Sequence, residues 1–226
     1  MAMSIQEMVR EFMKTSTPTV SDALDRLQIR GGCHGLAPIV QGKKIVGPAF
    51  TVKYVPIGEE KGTVGDYIDD VGLGEVIVLD NGGRTDCTVW GDILTYVAAS
   101  KGIAGTIIDG VCRDVDGIRG MDYPMFSRGQ YMVTGKDRVM VQSVNQTVSI
   151  ANVQVRQGDL IMADDSGVLV IPHNRAEEVL AVALQIEEAE QRILADLKNG
   201  ATVAEARKTH KYNELQRAQV NKGVSV

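Results

Sequence analysis

Cysteine is scarce in this chain of 226 residues: Cys33, Cys87 and Cys112 are an odd number, and none stands in a CxxC pair. That argues against a disulfide framework and against a thiolate zinc centre. Histidine is equally sparse. His34, His173 and His210 form no HxH or HExxH spacing, which leaves a histidine zinc site and a His-centred nucleophilic triad without support. No run of Lys or Arg is long enough to track phosphates and the net charge is -5, so nucleic acid is not expected as a ligand. No apolar run approaches the roughly 20 residues that cross a bilayer, so no membrane span is expected. The opening MAMSIQEMVREFMKTSTP mixes charge through its apolar positions and does not read as a signal peptide, which makes a cytoplasmic protein the expectation. A Schiff-base lysine also lacks support, because Lys53 lies in a strand pattern and Lys101 ends a helical one, neither with an evident partner.

What is present is ordinary globular material, 44% apolar and 23% charged, enough for a sizeable core. TPTVSDALDRLQIRGG reads as a capped helix closing on Gly31-Gly32. IVGPAFTVKYVP and EVIVLD are strands, with a helical turn near Asp66–Ile68 between them. GDILTYVAASKG is a helix stopped at Gly102, and AGTIIDG is a buried strand ending at Gly110. EVIVLD, the helix and AGTIIDG together form a βαβ unit with a parallel, right-handed crossover. Further strands are expected at QYMVTG and VSIANVQV, and a hairpin at DLIMADDSGVLVIP with Gly167 at its turn. NRAEEVLAVALQIEEAEQRILADLKNG is a long amphipathic helix stopped by Asn199-Gly200, followed by a polar tail. The expected division is a catalytic domain over 1–174, then a C-terminal helix and tail over 175–226 that pack on a neighbouring subunit.

The βαβ unit carries the chemistry. Asp92 is followed by twenty residues and then Arg113-Asp114. One helix and one strand occupy about that length, so the chain returns to the same sheet edge, where open α/β sheets bind ligands. The amides of Gly91, Asp92, Ile93 and Leu94 begin a helix, where unpaired N–H groups and the helix dipole favour an anion. Asp92 and Asp114 offer hard oxygen ligands suited to Mg²⁺ or Mn²⁺. The planar fork of Arg113 suits a carboxylate or an enolate oxygen. Together these groups describe a site for a 2-oxo acid. The same residues also read as a helix-start charge and a surface ion pair with Asp109 or Asp116, and spacing alone leaves both readings open. Arg84 in NGGRTD follows the first strand end and is a candidate for a second substrate carboxylate.

GDIL…GIAGTIIDGVCRDVDG resembles the RraA-like family, in particular its branch of class II 4-hydroxy-4-methyl-2-oxoglutarate / 4-carboxy-4-hydroxy-2-oxoadipate aldolases, the pyruvate aldolases. The shared pattern is Asp, twenty residues, Arg-Asp, met here by Asp92, Arg113 and Asp114 without a gap. The resemblance extends to TPTVSDALDRL, IVGPAFTV and GDLIMADDSGVLVIP, most of residues 17–195. It implies an α/β fold, layered α-β-β-α and similar to the swivelling phosphohistidine domain, here with a long C-terminal helix. It also implies homotrimers, or homohexamers of paired trimers, with active sites at subunit interfaces.

The implied function is a divalent-metal-dependent lyase that cleaves 4-hydroxy-2-oxo acids to pyruvate, with oxaloacetate decarboxylation through the same enolate. The resemblance assigns Asp114 to the metal directly and Asp92 through water, with Arg113 on the pyruvate part and the Gly91–Leu94 amides on the substrate carboxylate. It further implies that an acidic residue from the neighbouring subunit's C-terminal helix reaches the metal through water. Glu187, Glu188 and Glu190 are the candidates there, and Glu188 is favoured by its spacing to Arg192. Two alternatives accompany this reading: a noncatalytic RraA-like regulator that binds a ribonuclease, and a lyase or hydro-lyase acting on another 2-oxo acid.

Overall fold

The computed structural model of this chain describes residues 3–212. In chain order it begins with helices α1 (Ile5–Phe12) and α2 (Thr17–Arg26), then strands β1 (Ala37–Pro38), β2 (Ile45–Pro56) and β3 (Val76–Thr88). Helix α3 (Asp92–Ser100), strand β4 (Gly105–Cys112), helix α4 (Val115–Gly120) and strand β5 (Met125–Gln130) follow. Next come β6 (Val139–Val144), β7 (Val148–Ile150), β8 (Val153–Val155), β9 (Leu160–Asp164) and β10 (Gly167–Ile171). Helices α5 (Ala176–Lys198) and α6 (Val203–Thr209) are the last described elements. They fall in two compact units: Gly32–Asn174, which holds these strands, and a helical unit made from the segments on either side. No helix among the described residues is long and apolar enough to cross a membrane.

The strand unit is built on a sheet ordered β1-β5-β4-β3-β2-β9-β10, with β6 added beside β2. β2, β3, β4 and β5 run parallel, so each successive pair needs a crossover, and α3 and α4 supply the two after β3 and β4. β2 changes partner along its length: Ile45–Pro48 pairs with β9, Ala49–Lys53 with β3, and Val52–Pro56 with β6. Alternation in the parallel strands builds a core on both faces. Ile77, Leu79 and Ile108 pack with Tyr67, Ile68, Ala98 and Ile118 of the helical layer. Val76, Val78 and Ile107 pack with Val148, Ile150, Val153 and Val155 of the β7–β8 hairpin and with Ile161 and Val168. β4 is buried at every position, as a parallel strand covered on both faces should be.

Two carboxylates tie the hairpin to the sheet. Asp80 and Asp109 stand opposite one another in the β3–β4 register, and both are buried. Asp80 accepts from Lys53 Nζ at 2.6 Å and from the Ser149 N–H at 3.1 Å. Asp109 accepts from Arg128 Nε and from the Ala151 N–H at 2.8 Å.

Several local expectations shift. α2 ends at Arg26 with Leu27 as its C-cap, short of Gly31-Gly32, because Gln28 takes φ 57 and the Ile29 N–H closes the helix on Leu24 O at 2.9 Å. The strand expected at QYMVTG lies just before it, since β5 starts at Met125, in register with Thr106 of β4. VSIANVQV is two strands rather than one, reversed at Ala151 and Asn152, whose φ values are 49 and 66. Asp165-Ser166 form the β9–β10 turn, and Gly167 already pairs with Asp164.

In the helical unit, Val179, Leu180, Ala183 and Ile186 form the buried stripe of α5 at helical spacing. α1 and α2 pack against α5, and they bury Met8, Phe12, Val20, Ala23 and Leu24. Capping boxes start α1 at Ser4/Glu7 and α6 at Thr202/Glu205, so part of the expected polar tail is helix. The tail beyond Tyr212 lies outside the described residues.

Candidate active site

Two adjacent strand ends meet at one cavity. β3 ends at Thr88, and Val89-Trp90 lead into Gly91, the N-cap of α3. The N-cap glycine brings no side chain to cap this helix, so its first N–H groups take acceptors from elsewhere, the Asp92 N–H turning to Asp114 Oδ2. β4 ends at Cys112, and Arg113 and Asp114 follow directly. The Arg113 N–H donates to Trp90 O at 3.0 Å, which locks the two strand ends together.

Asp114 is held in the left-handed region, φ 56 and ψ 40, where a non-glycine residue carries a cost of about 1–2 kcal/mol. Such strain concentrates at functional positions. Its Oδ2 lies 3.4 Å from the Asp92 N–H and 3.2 Å from Arg113 Nε. A Cβ at Gly91 would overlap that same oxygen, so the absence of a side chain there is what lets the carboxylate come this close. A Cβ at Gly117, on α4, would stand 3.1 Å from Asp92 Cβ, which shows how closely the two helix starts approach.

The cavity is open, about 220 Å³, and is lined by Gly91, Asp92, Ile93, Leu94, Arg113 and Asp114 at its polar end. Val64, Gly65, Val89 and Trp90 form an apolar wall, with Thr88 and Thr134 adding hydroxyls. Arg113 and Asp114 are about two-fifths exposed, so a ligand can reach them. Ile93 is 75% exposed.

Among the described residues no group of three or more His, Cys, Asp or Glu gathers that could enclose a metal. The cavity offers two carboxylates, Asp92 and Asp114. That set suits Mg²⁺ or Mn²⁺, hard ions that keep several waters and need only one or two carboxylates, and it does not suit zinc.

The cavity thus gathers Gly91, Asp92, Ile93, Leu94, Arg113 and Asp114. Glu188 belongs to α5 in the helical unit, exposed and paired with Arg192. Beside it, Glu187 accepts from Thr19 Oγ1 at 3.3 Å. Burial and the nearby Asp22 and Glu187 raise the pKa of Glu190, partly offset by a hydrogen bond from Thr19. Arg84 lies on an irregular stretch of β3, with Nη1 3.5 Å from Asp86. Cys112 is fully buried and its thiol donates to Gly129 O, with its pKa raised by burial, which makes it core rather than nucleophile. Thr88, Trp90 and Thr134 were not singled out from the sequence; only Trp90 carried a signal, as the chain's single tryptophan set beside Gly91.

A parallel sheet whose neighbouring strand ends deliver a helix start, two carboxylates and an arginine to one crevice defines a layered α/β protein with a charged cavity at those ends. The chain belongs to the RraA-like family: residues 17–170 match the family described as RraA-like, Aldolase/RraA. It is 41% identical over 215 residues to Protein DlpA of Legionella pneumophila, covering 93% of this chain but 35% of DlpA's length. It is 33% identical over 195 residues, 84% of this chain and 90% of the relative, to a Halalkalibacterium halodurans protein named "Putative 4-hydroxy-4-methyl-2-oxoglutarate aldolase". Among solved structures, an uncharacterized protein from Pseudomonas syringae pv. tomato shares 42% identity at a TM-score of 0.85, covering 92% of this chain and 100% of that one. Streptomyces coelicolor RraAS2, described as an unusual member of the RNase ES inhibitor RraA protein family, shares 27% identity at 0.77, covering 84% and 97%.

Proposed function

We propose that this chain is a divalent-metal-dependent lyase that cleaves 4-hydroxy-2-oxo acids to pyruvate and also decarboxylates oxaloacetate. The observation that carries this reading is the meeting of the start of α3 with Arg113 and Asp114 in one open cavity. The aldolase-named relatives support the same reaction class.

The amides at Gly91–Leu94 receive the substrate carboxylate, helped by the helix dipole. Arg113 turns its fork towards the 2-oxo oxygen and stabilises the enolate that develops as the carbon–carbon bond breaks. Asp114 and Asp92 would hold a divalent ion, which would supply Lewis acidity to the bound 2-oxo acid. Val64, Val89 and Trp90 give the cavity an apolar wall. In this reading the enzyme is a cytoplasmic homotrimer or homohexamer, residues 1–174 hold the catalytic machinery, and the C-terminal helix serves a neighbouring subunit through Glu188.

The test couples pyruvate release to lactate dehydrogenase, with oxaloacetate and 4-hydroxy-4-methyl-2-oxoglutarate as substrates, in Mg²⁺ and in EDTA. Metal-dependent release above the metal-only background is expected, with a loss of at least about a hundredfold in Arg113→Ala and in Asp114→Ala at unchanged far-UV circular dichroism. Full activity in Arg113→Ala would sink the assignment. The second reading, a noncatalytic regulator that binds a ribonuclease, is favoured by the likeness to RraAS2. It predicts tight ribonuclease binding with no turnover of either acid.

A further inference from the structure

We infer that Trp90 and Thr95 are positioning residues that set the direction of the anion-binding amide at the start of α3; the inference rests on the lyase reading above. Trp90 is 2% exposed and Thr95 is fully buried, although Trp90 still forms part of the cavity wall. The indole Nε1 donates to Thr95 Oγ1 at 2.8 Å. That hydroxyl in turn donates to Gly91 O at 2.9 Å, and the Thr95 N–H donates to the same carbonyl at 3.1 Å.

The consequence follows from peptide planarity. Gly91 C=O and Asp92 N–H belong to one rigid, trans peptide unit and point in opposite directions. Fixing the carbonyl with two donors on the buried side therefore aims the Asp92 N–H outward. That N–H faces the cavity side, where it donates to the Asp114 carboxylate at 3.4 Å. Glycine at 91 leaves this peptide without local side-chain restraint, so orientation must come from elsewhere.

Trp90 also reaches the other arm of the site. Its own carbonyl accepts from the Arg113 N–H at 3.0 Å. The indole is clamped against Tyr123, with ring centroids 6.3 Å apart and planes 10° from parallel. The Tyr123 hydroxyl is 3.0 Å from Thr106 Oγ1, on β4. Trp90 thus ties to the sheet both the amide, through its indole, and the arginine's backbone, through its own carbonyl. Hydrogen bonds weaken steeply with angle, so releasing this peptide should weaken carboxylate capture.

The experiment compares wild type, Thr95→Val and Thr95→Ser. Valine keeps the volume and removes both hydroxyl bonds, whereas serine restores them. Steady-state pyruvate release gives KM and kcat, and calorimetric titration with oxalate, in Mg²⁺ and in EDTA, gives affinity without turnover. The substrate carboxylate does not change during reaction, so its holder contributes to binding alike in ground and transition states. Thr95→Val is expected to raise KM and weaken oxalate about tenfold, with kcat within about threefold. Thr95→Ser is expected to return both to within about threefold of wild type. A merely structural role would lower the active fraction and kcat and leave KM alone, which would overturn the inference.

Should Thr95→Val fail to fold, Trp90→Phe carries the test, because it keeps a ring against Tyr123 and removes the indole donor, and a thermal melt beside it registers the volume lost. A smaller rise in KM, about threefold, is expected there. Values of KM and oxalate affinity within about twofold of wild type in the folded variant would overturn the inference and leave the lyase reading standing. Wild type that neither turns over nor binds oxalate would overturn both.

Discussion

Gly91 has an extended backbone, φ -152 and ψ -164, that any residue adopts, so its constraint is one of space. The missing Cβ is what lets Asp114 approach the start of α3. Gly91→Ala should therefore fold, since a short carboxylate can swing aside, and should lose at least about tenfold in metal-dependent pyruvate release. The measurement is the coupled assay beside a thermal melt; unchanged turnover would show that the close approach is dispensable. Asp114 presents the complementary case, an aspartate in a backbone region that disfavours it and with no capping bond to offset the cost. Its place in the cavity gives that strain a function to serve.

At the scale of elements, the β7–β8 hairpin stands on charged pins. Asp80→Ala would strip Lys53 and the Ser149 N–H of their shared acceptor at once. Because Lys53 is partly exposed, the expected cost is about 2 kcal/mol, below that of a fully buried pair, and urea unfolding measures it. A loss under about 0.5 kcal/mol would mean that water replaces the acceptor freely. On α5, burial and the charges of Asp22 and Glu187 raise the pKa of the Glu190 carboxyl. A raised carboxyl pKa opposes folding once the group ionises: the penalty is absent below the ordinary range and complete above the raised value. Glu190→Gln should therefore raise Tm more at neutral pH than at about pH 4. An equal change at both values would remove the penalty from the account.

The same elements show what local pattern can and cannot reveal. The βαβ unit from Val76 to Cys112 was legible because its period changes from strand to helix and back between glycines. So were the Asp92 and Arg113-Asp114 pair, because topology alone returns them to one sheet edge. The hairpin at Ala151-Asn152 was not. Neither residue is a glycine, and their positive φ values are sustained by tertiary bonds such as Asp109 to the Ala151 N–H. Thr95 was hidden for the same reason. As a sequence symbol it is one more helix residue, and only its distances to the Trp90 indole and to Gly91 O give it a role.

For the whole molecule, the family match spans 17–170, so it takes in all of the sheet except Ile171, the last residue of β10. α5 was legible as an amphipathic helix, whereas its cover by α1 and α2 was not, because neither helix carries a pattern that names its partner. The division into a strand unit and a helical unit has an optical consequence. Trp90, the only tryptophan, lies in the core of the strand unit, while α1, α2, α5 and α6 make the other unit wholly helical in its named elements. Indole emission therefore reports the melting of one unit, and far-UV ellipticity is weighted towards the other. Recorded on the same sample, the two signals amount to separate thermometers: coincident transitions mean that the units melt as one cooperative body, and displaced transitions mean that each holds its own stability.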